Sequence, residues 1–260
     1  MRETFGVLRY EYLMQIRRWG LWISSFVLVG LIYFFLLSGL LQKYQLPGSS
    51  QQPWLAAIDL AAPLNIFAPV AAGILVADRF PRDFRLGINE LLKASLPSAR
   101  SLVIGKYLGS LLAVLTPPCL LLLALLVYLA LRLQMGALFW MVPLVVLGTV
   151  VPAWLFFVAW SLVFPLALPL RLYQVLFAGF WLWATAVPPQ RLPTINQTIV
   201  ALQGDYADHA FFNDTGQMYA NFHPPATPGW ALVNLGIVLG LTVVALALLP
   251  LALRWREGRA

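Results

Sequence analysis

The side chains of this sequence that could do chemistry fall in three places. The first is a strongly charged interval between two long apolar runs, ADRFPRDFRLGINELLKASLPSARSLVIGK, which carries Arg82, Asp83, Arg85, Glu90 and Lys93. Within it, 86–96 reads as a short amphipathic helix that Pro97 ends. Leu86, Leu91, Leu92 and Leu96 give it an apolar side, and Glu90 and Lys93, three residues apart, can pair. Such a helix could rest on lipid headgroups, dock into a groove of a soluble partner, or serve only as a positive anchor. The second place is Asp59 and Asn65, set among apolar residues with Pro63 and Pro69. An ionisable residue inside a span is a functional candidate by default, although Asp59 stands close enough to the end of its run to reach headgroup water. The third is DYADHAFFND, where Asp205, Asp208, His209 and Asp214 lie close together. Carboxylate and imidazole can bind a metal, but this spacing matches no defined site, and a polar cap over span ends is the expectation. Motifs for self-sufficient catalysis are missing. Gly105-Lys106 is followed by Tyr107 and has no glycine five residues before it, so it is not a phosphate loop. The sequence has no HExxH and no CxxC, and the single cysteine, Cys119, excludes an intrachain disulfide.

The elements that must position these residues are membrane spans. The chain is 61% hydrophobic and 10% charged, where soluble domains average about 45–50% and about 25%. Ten Trp and nine Tyr suit a protein with two membrane–water interfaces. Apolar runs predict six spans near 22–41, 54–77, 102–131, 138–163, 171–188 and 229–251. The third is too long to stand upright in about 30 Å of hydrocarbon, so part of it must project or tilt, and Pro117-Pro118 should kink it. The fourth and fifth are separated at FPLALPLR, where Pro165, Pro169 and Arg171 punctuate an otherwise uncharged stretch.

Ahead of the first span, residues 1–20 predict a basic amphipathic helix lying in the interface, with Phe5, Leu8, Tyr12, Ile16 and Trp19 on its apolar face and Glu11 and Gln15 largely off it. The stretch is too long and mixed before its apolar run to read as a cleaved signal. Residues 78–101 form the charged segment between spans, and 189–228 an acidic outer loop. Placing both termini in the cytoplasm leaves only Lys43, Arg132 and Arg191 of the seventeen Lys and Arg outside, a strong positive-inside bias. The net charge of +7 does not point to nucleic acid, because the basic residues flank apolar spans rather than forming a patch. The expected fold is therefore an all-α integral membrane protein of six spans in one transmembrane domain.

With these parts in place, the chain resembles the permease subunit of ABC transporters of the ABC-2, or type V exporter, class. The resemblance rests on RYEYLMQIRRWGLWI before the first span and on the charged interval, whose Arg82, Asp83, Arg85, Gly87, Glu90-Leu91-Leu92, Pro97-Ser98, Arg100 and Gly105-Lys106 follow the order seen in that family. It implies a pair of permeases, this chain with a second copy or a paralogue, in the lipid of a bacterial inner membrane. Separate ATPase subunits would bind ATP and Mg, with no cofactor and no catalytic residue in this chain. It implies further that 88–96 is a coupling helix seated in the ATPase, with Arg82, Asp83, Arg85, Glu90 and Lys93 as contacts, and that residues 1–20 form a connecting helix. Asp59 and Asn65 would be the polar candidates along the pathway. Two other readings stand beside it: an assembly subunit of a larger membrane complex, which would co-purify without nucleotide-dependent activity, and a membrane-embedded enzyme built on Asp59, Asn65, Asp205, Asp208 and His209.

Overall fold

The computed structural model describes residues 2–45, 53–87, 99–185, 187, 191–212 and 222–258, and every regular element among them is helical. In chain order these are α1 (Arg2–Ile16), α2 (Trp19–Ser25), α3 (Leu31–Gln45), α4 (Pro53–Ile66), α5 (Ala68–Ala77) and α6 (Arg79–Arg85). The second half holds α7 (Ala99–Leu133), α8 (Leu138–Val145), α9 (Val151–Ala167), α10 (Leu170–Thr185), α11 (Asp205–Phe212) and α12 (Pro228–Glu257). Single π-helical turns, Phe26–Gly30 and Val146–Val150, join α2 to α3 and α8 to α9.

Five stretches are long and apolar enough to cross a membrane: Trp19–Tyr44, Pro53–Arg85, Arg100–Leu133, Leu138–Ala167 and Pro228–Arg256. This is compatible with a multi-pass membrane protein. The remaining stretch expected to span, 171–188, is occupied by α10. Its 16 residues reach about 24 Å, short of an upright crossing of about 30 Å.

Burial sorts the bundle into a centre and a rim. The stretch containing α4 and α5 is 67% buried, whereas Trp19–Tyr44 is 22% and Pro228–Arg256 28% buried. The exposed faces of the rim helices are apolar, with Phe34 and Phe35 among the most open side chains, as a lipid-facing surface requires.

The central stretch is broken at Phe67, and the break follows from its prolines. Pro69 has no N–H to give to Asn65 O, and the Val70 N–H turns instead to Phe67 O at 3.2 Å. The two stranded carbonyls, Asn65 O and Ile66 O, both accept from Trp181 Nε1, at 3.2 and 3.1 Å. Trp154 Nε1 donates to Leu64 O at 3.2 Å just before the break. Both indoles are fully buried. Irregular backbone at membrane depth is tolerated where protein groups satisfy it, and here two tryptophans do so. Trp181→Phe keeps an aromatic ring but removes the donor. It should lower stability by about 1–3 kcal/mol, read as an earlier midpoint in unfolding by denaturing detergent.

Elsewhere prolines lie inside continuous helices. Helix α7 runs unbroken through Pro117 and Pro118. Its 35 residues reach about 52 Å, well beyond an upright crossing of about 30 Å. Between α9 and α10 the expected end of the span near 163 moves to Ala167. Pro165 is accommodated inside the helix, and the chain turns only at Leu168, whose extended conformation (φ −108, ψ 152) is the one that Pro169 demands of its predecessor.

Candidate functional site

The charged interval begins as α6, whose Pro81 falls in the first turn, where its missing N–H is harmless. The helix ends at Gly87, which takes a left-handed φ of 65 suited to glycine, and Gly87 N bonds Phe84 O at 3.3 Å. One turn of helix therefore sorts the charges by direction. Arg79 and Asp83, four residues apart, are buried, while Arg82 and Arg85 are exposed. The exposed Arg85 Nη2 donates to Asp78 Oδ1 at 2.6 Å.

The buried pair meets two charges from other elements. Lys106 Nζ, from α7, donates to Asp83 Oδ2, with both side chains more than nine-tenths buried, and it also lies 4.9 Å from the centre of the Phe80 ring. Arg79 Nε lies 3.2 Å from Glu11 Oε1 of α1. Gln15 Nε2 extends the cluster by donating to Glu11 Oε1 at 2.8 Å and to Ser110 Oγ at 2.6 Å. Two carboxylates and two cations thus neutralise one another where three helices join. Buried charges persist only when paired in this way.

The close approach of α1 to α7 depends on glycine. A Cβ at Gly105 would lie 2.7 Å from Val7 Cβ, and one at Gly109 would lie 2.8 Å from both Leu8 O and Glu11 Cβ. The face of α1 turned onto α7 carries Glu11 and Gln15, both buried. Phe5 and Trp19 are 65% and 80% exposed, as in a helix that lies in the interface, while Tyr12 and Ile16 pack in part against the core. The partners of Glu11 and Gln15, Arg79 and Ser110, lie far along the chain. The four-residue spacing of Gly105 and Gly109 was the only local signal.

Other basic groups collect at the same end of the bundle. Arg256 Nη1, from the last turn of α12, donates to Pro165 O and Leu166 O at 2.9 and 3.3 Å, satisfying carbonyls left open at the end of α9. Its guanidinium stands 5.3 Å from the Phe84 ring centre of α6. Of the charged residues singled out in the sequence, Asp83 is thus engaged within the chain, Arg85 is paired with Asp78 at an exposed position, and Arg82 is exposed. Glu90, Lys93 and the helix expected over 88–96 lie outside the described residues.

Asp59 and Asn65 are not brought together. Asp59 Oδ2 accepts from Lys43 Nζ at 2.5 Å and from Tyr44 OH at 2.6 Å, a partly exposed cluster where α3 ends. Asn65 is buried at the helix break and donates from Nδ2 to Gln203 O at 2.8 Å. Gln203 Nε2 donates onward to Asn196 Oδ1, at 2.9 Å, and to Asp205 Oδ2. Asn234 Nδ2, from α12, holds Ile199 O and Ala201 O at 2.7 and 2.9 Å. Gly204, with φ 82, sits against the π-helical turn, where a Cβ would fall 2.6 Å from Thr149 Cβ.

Residues 196–205, between α10 and α12, are therefore fastened into the bundle through amides and backbone carbonyls. Among the described residues no three His, Cys, Asp or Glu side chains gather as a metal site, and Asp214 lies outside them. Compared with protein-family models, with curated proteins and with solved structures, the chain gives no match.

Proposed function

We propose that this chain is the membrane-spanning permease subunit of an ABC transporter, of the ABC-2 type its sequence resembles, with α10 as the fifth of six spans and both termini in the cytoplasm. It works with a second copy or a paralogue and exports or flips its substrate. The energy comes from ATP hydrolysed, with Mg, on separate ATPase subunits. The observation that carries the reading is the three-helix joint at the charged end of the bundle. Buried ion pairs weld α1 and α7 to α6, which continues directly from α5 through Asp78. A push on this joint is transmitted to the broken central stretch rather than dissipated in a loose tail. Arg82 and Arg85 are left facing outward beside it, as an ATPase contact requires.

The test is purification from membranes in mild detergent, followed by mass spectrometry of what comes with the protein. An ATPase carrying a phosphate-loop motif is the expected partner. Reversing both exposed charges, Arg82→Glu with Arg85→Glu, places like charge against a partner selected for arginine. It should reduce the retained ATPase about tenfold or more while the permease still elutes as a folded species. A stable complex containing no ATPase would overturn the reading in favour of an assembly subunit.

A further inference from the structure

Beside the turn from α9 to α10, the helices α9, α10 and α12 line a cavity of about 390 Å³. Its walls are mostly aromatic: Phe156, Trp160, Phe164, Tyr173 and Phe177 line it, with Leu241 contributed by α12. Four of the rings form a stacked ladder across the hairpin. Trp160 to Phe164 is 5.0 Å between centroids, Phe164 to Tyr173 6.2 Å, and Tyr173 to Phe177 5.6 Å, with interplanar angles of 25°, 26° and 21°. Gly73 of α5 makes room for the last of them, since a Cβ there would fall 2.2 Å from Phe177 Cε1.

The walls offer an occupant no hydrogen bond. Tyr173 OH is donated to Ser161 Oγ at 2.8 Å, and Trp160 Nε1 is buried out of reach. The cavity opens sideways, past the exposed Phe164, Leu176 and Phe180. Its neighbours there are apolar rim residues of helices compatible with membrane spans, so hydrocarbon chains have direct entry. Its size falls within the usual range of ligand sites, about 300–1,000 Å³.

Cations stand at its end: Arg256 of α12 is engaged with Pro165 O and Leu166 O, and the hairpin itself supplies Arg171. Between Ala137 and Pro189 the chain has no charged residue except Arg171. Arg171 is exposed on the first turn of α10, three residues beyond the wall residue Leu168. It makes no ion pair with the other described residues. An uncharged hairpin whose single cation sits next to an all-carbon slot complements one kind of molecule: an apolar tail joined to an anion.

We infer that the slot between α9, α10 and α12 binds an anionic phospholipid, with one acyl chain among the aromatic rings and the phosphate beside Arg171. The site needs no ATPase, so it stands or falls separately from the transporter reading. Basic groups near the end of membrane helices are suited to hold lipid phosphates.

The experiment uses the full chain in lipid nanodiscs containing phosphatidylglycerol with a photoreactive diazirine on its acyl chain. A parallel sample contains phosphatidylcholine bearing the same chain, and cross-linked peptides are mapped by mass spectrometry. In the wild type, phosphatidylglycerol should label residues 156–180 in preference to phosphatidylcholine. Leu176→Trp fills the mouth from an exposed position that folding does not depend on, and it should remove that labelling while leaving the labelling of α3 unchanged. Arg171→Gln should leave the chain in the slot but lower the preference for the anionic headgroup about fivefold. Equal labelling by the two lipids in the wild type would overturn the inference. So would labelling that survives Leu176→Trp, or cross-links between two copies of the chain at these residues.

Discussion

Replacing Asp83 with Leu should cost this protein about 3–5 kcal/mol, because it strands the Lys106 ammonium in a buried site. Both side chains of the pair are more than nine-tenths buried, and the Phe80 ring that also meets the ammonium cannot replace a carboxylate. The loss should appear as a large shift of the unfolding midpoint in mixed detergent micelles. Lys106→Leu alone should be similarly damaging, since Asp83 would then be the orphan. The informative variant is the double one, Asp83→Leu with Lys106→Leu. An apolar pair of similar volume pays no desolvation cost, so most of the lost stability should return. If the double variant were as unstable as the sum of the singles, the two groups would not be acting as a pair. In the transporter reading the double variant should also separate stability from coupling. It would fold, yet the ion-paired link between α6 and α7 would be gone, and ATP-driven transport should fall although the ATPase remains bound.

Much of this architecture was legible in the sequence, for a simple reason. A helix that crosses lipid must be apolar over most of its length, and that requirement is written locally. The long apolar stretches, the over-long α7 and the polar cluster around Asp59 follow from it. Asp59 lies close to the end of its stretch, and Lys43 and Tyr44, just before the intervening loop, are the groups that meet it. What could not be read is everything that depends on contacts distant in sequence. Pro63 and Pro69 stand in the central stretch, but nothing near them in the chain shows that Trp154 and Trp181 meet the carbonyls at the break.

Asp83 looked like a surface group because it stands between Arg82 and Arg85, which are exposed. Only the turn of α6 shows that Arg79 and Asp83 face the opposite way, toward Glu11 and Lys106. The burial of Glu11 and Gln15 on the N-terminal helix was hidden for the same reason, since Arg79, Ser110 and two glycines of α7 make a place for them.

Those glycines carry the second large effect. Gly109→Leu should detach α1 from α7. A Cβ at this position would lie 2.8 Å from Leu8 O, and a backbone carbonyl within a helix cannot yield without moving the helix. The same Cβ would press on Glu11, so the displacement also breaks the contacts of Glu11 with Arg79 and Gln15. Overpacking alone costs about 1–3 kcal/mol, and the disrupted buried charges add to it.

Two comparisons isolate the cause. Gly105→Leu meets chiefly the side chain of Val7, with Thr4 O at 3.0 Å, and should have a smaller effect. Gly39→Leu, on a rim helix with nothing within 4 Å, should have none. Limited trypsin digestion in detergent reads the result, since Arg17 and Arg18 lie at the junction of α1 and α2. Cleavage there should be fast in Gly109→Leu, intermediate in Gly105→Leu and as slow as wild type in Gly39→Leu. Equal protection in all three would mean that α1 is held by something other than its close seat on α7. Fast cleavage in Gly109→Leu, with the ATPase lost from the purified complex, would identify the N-terminal helix as part of the surface on which that partner is seated.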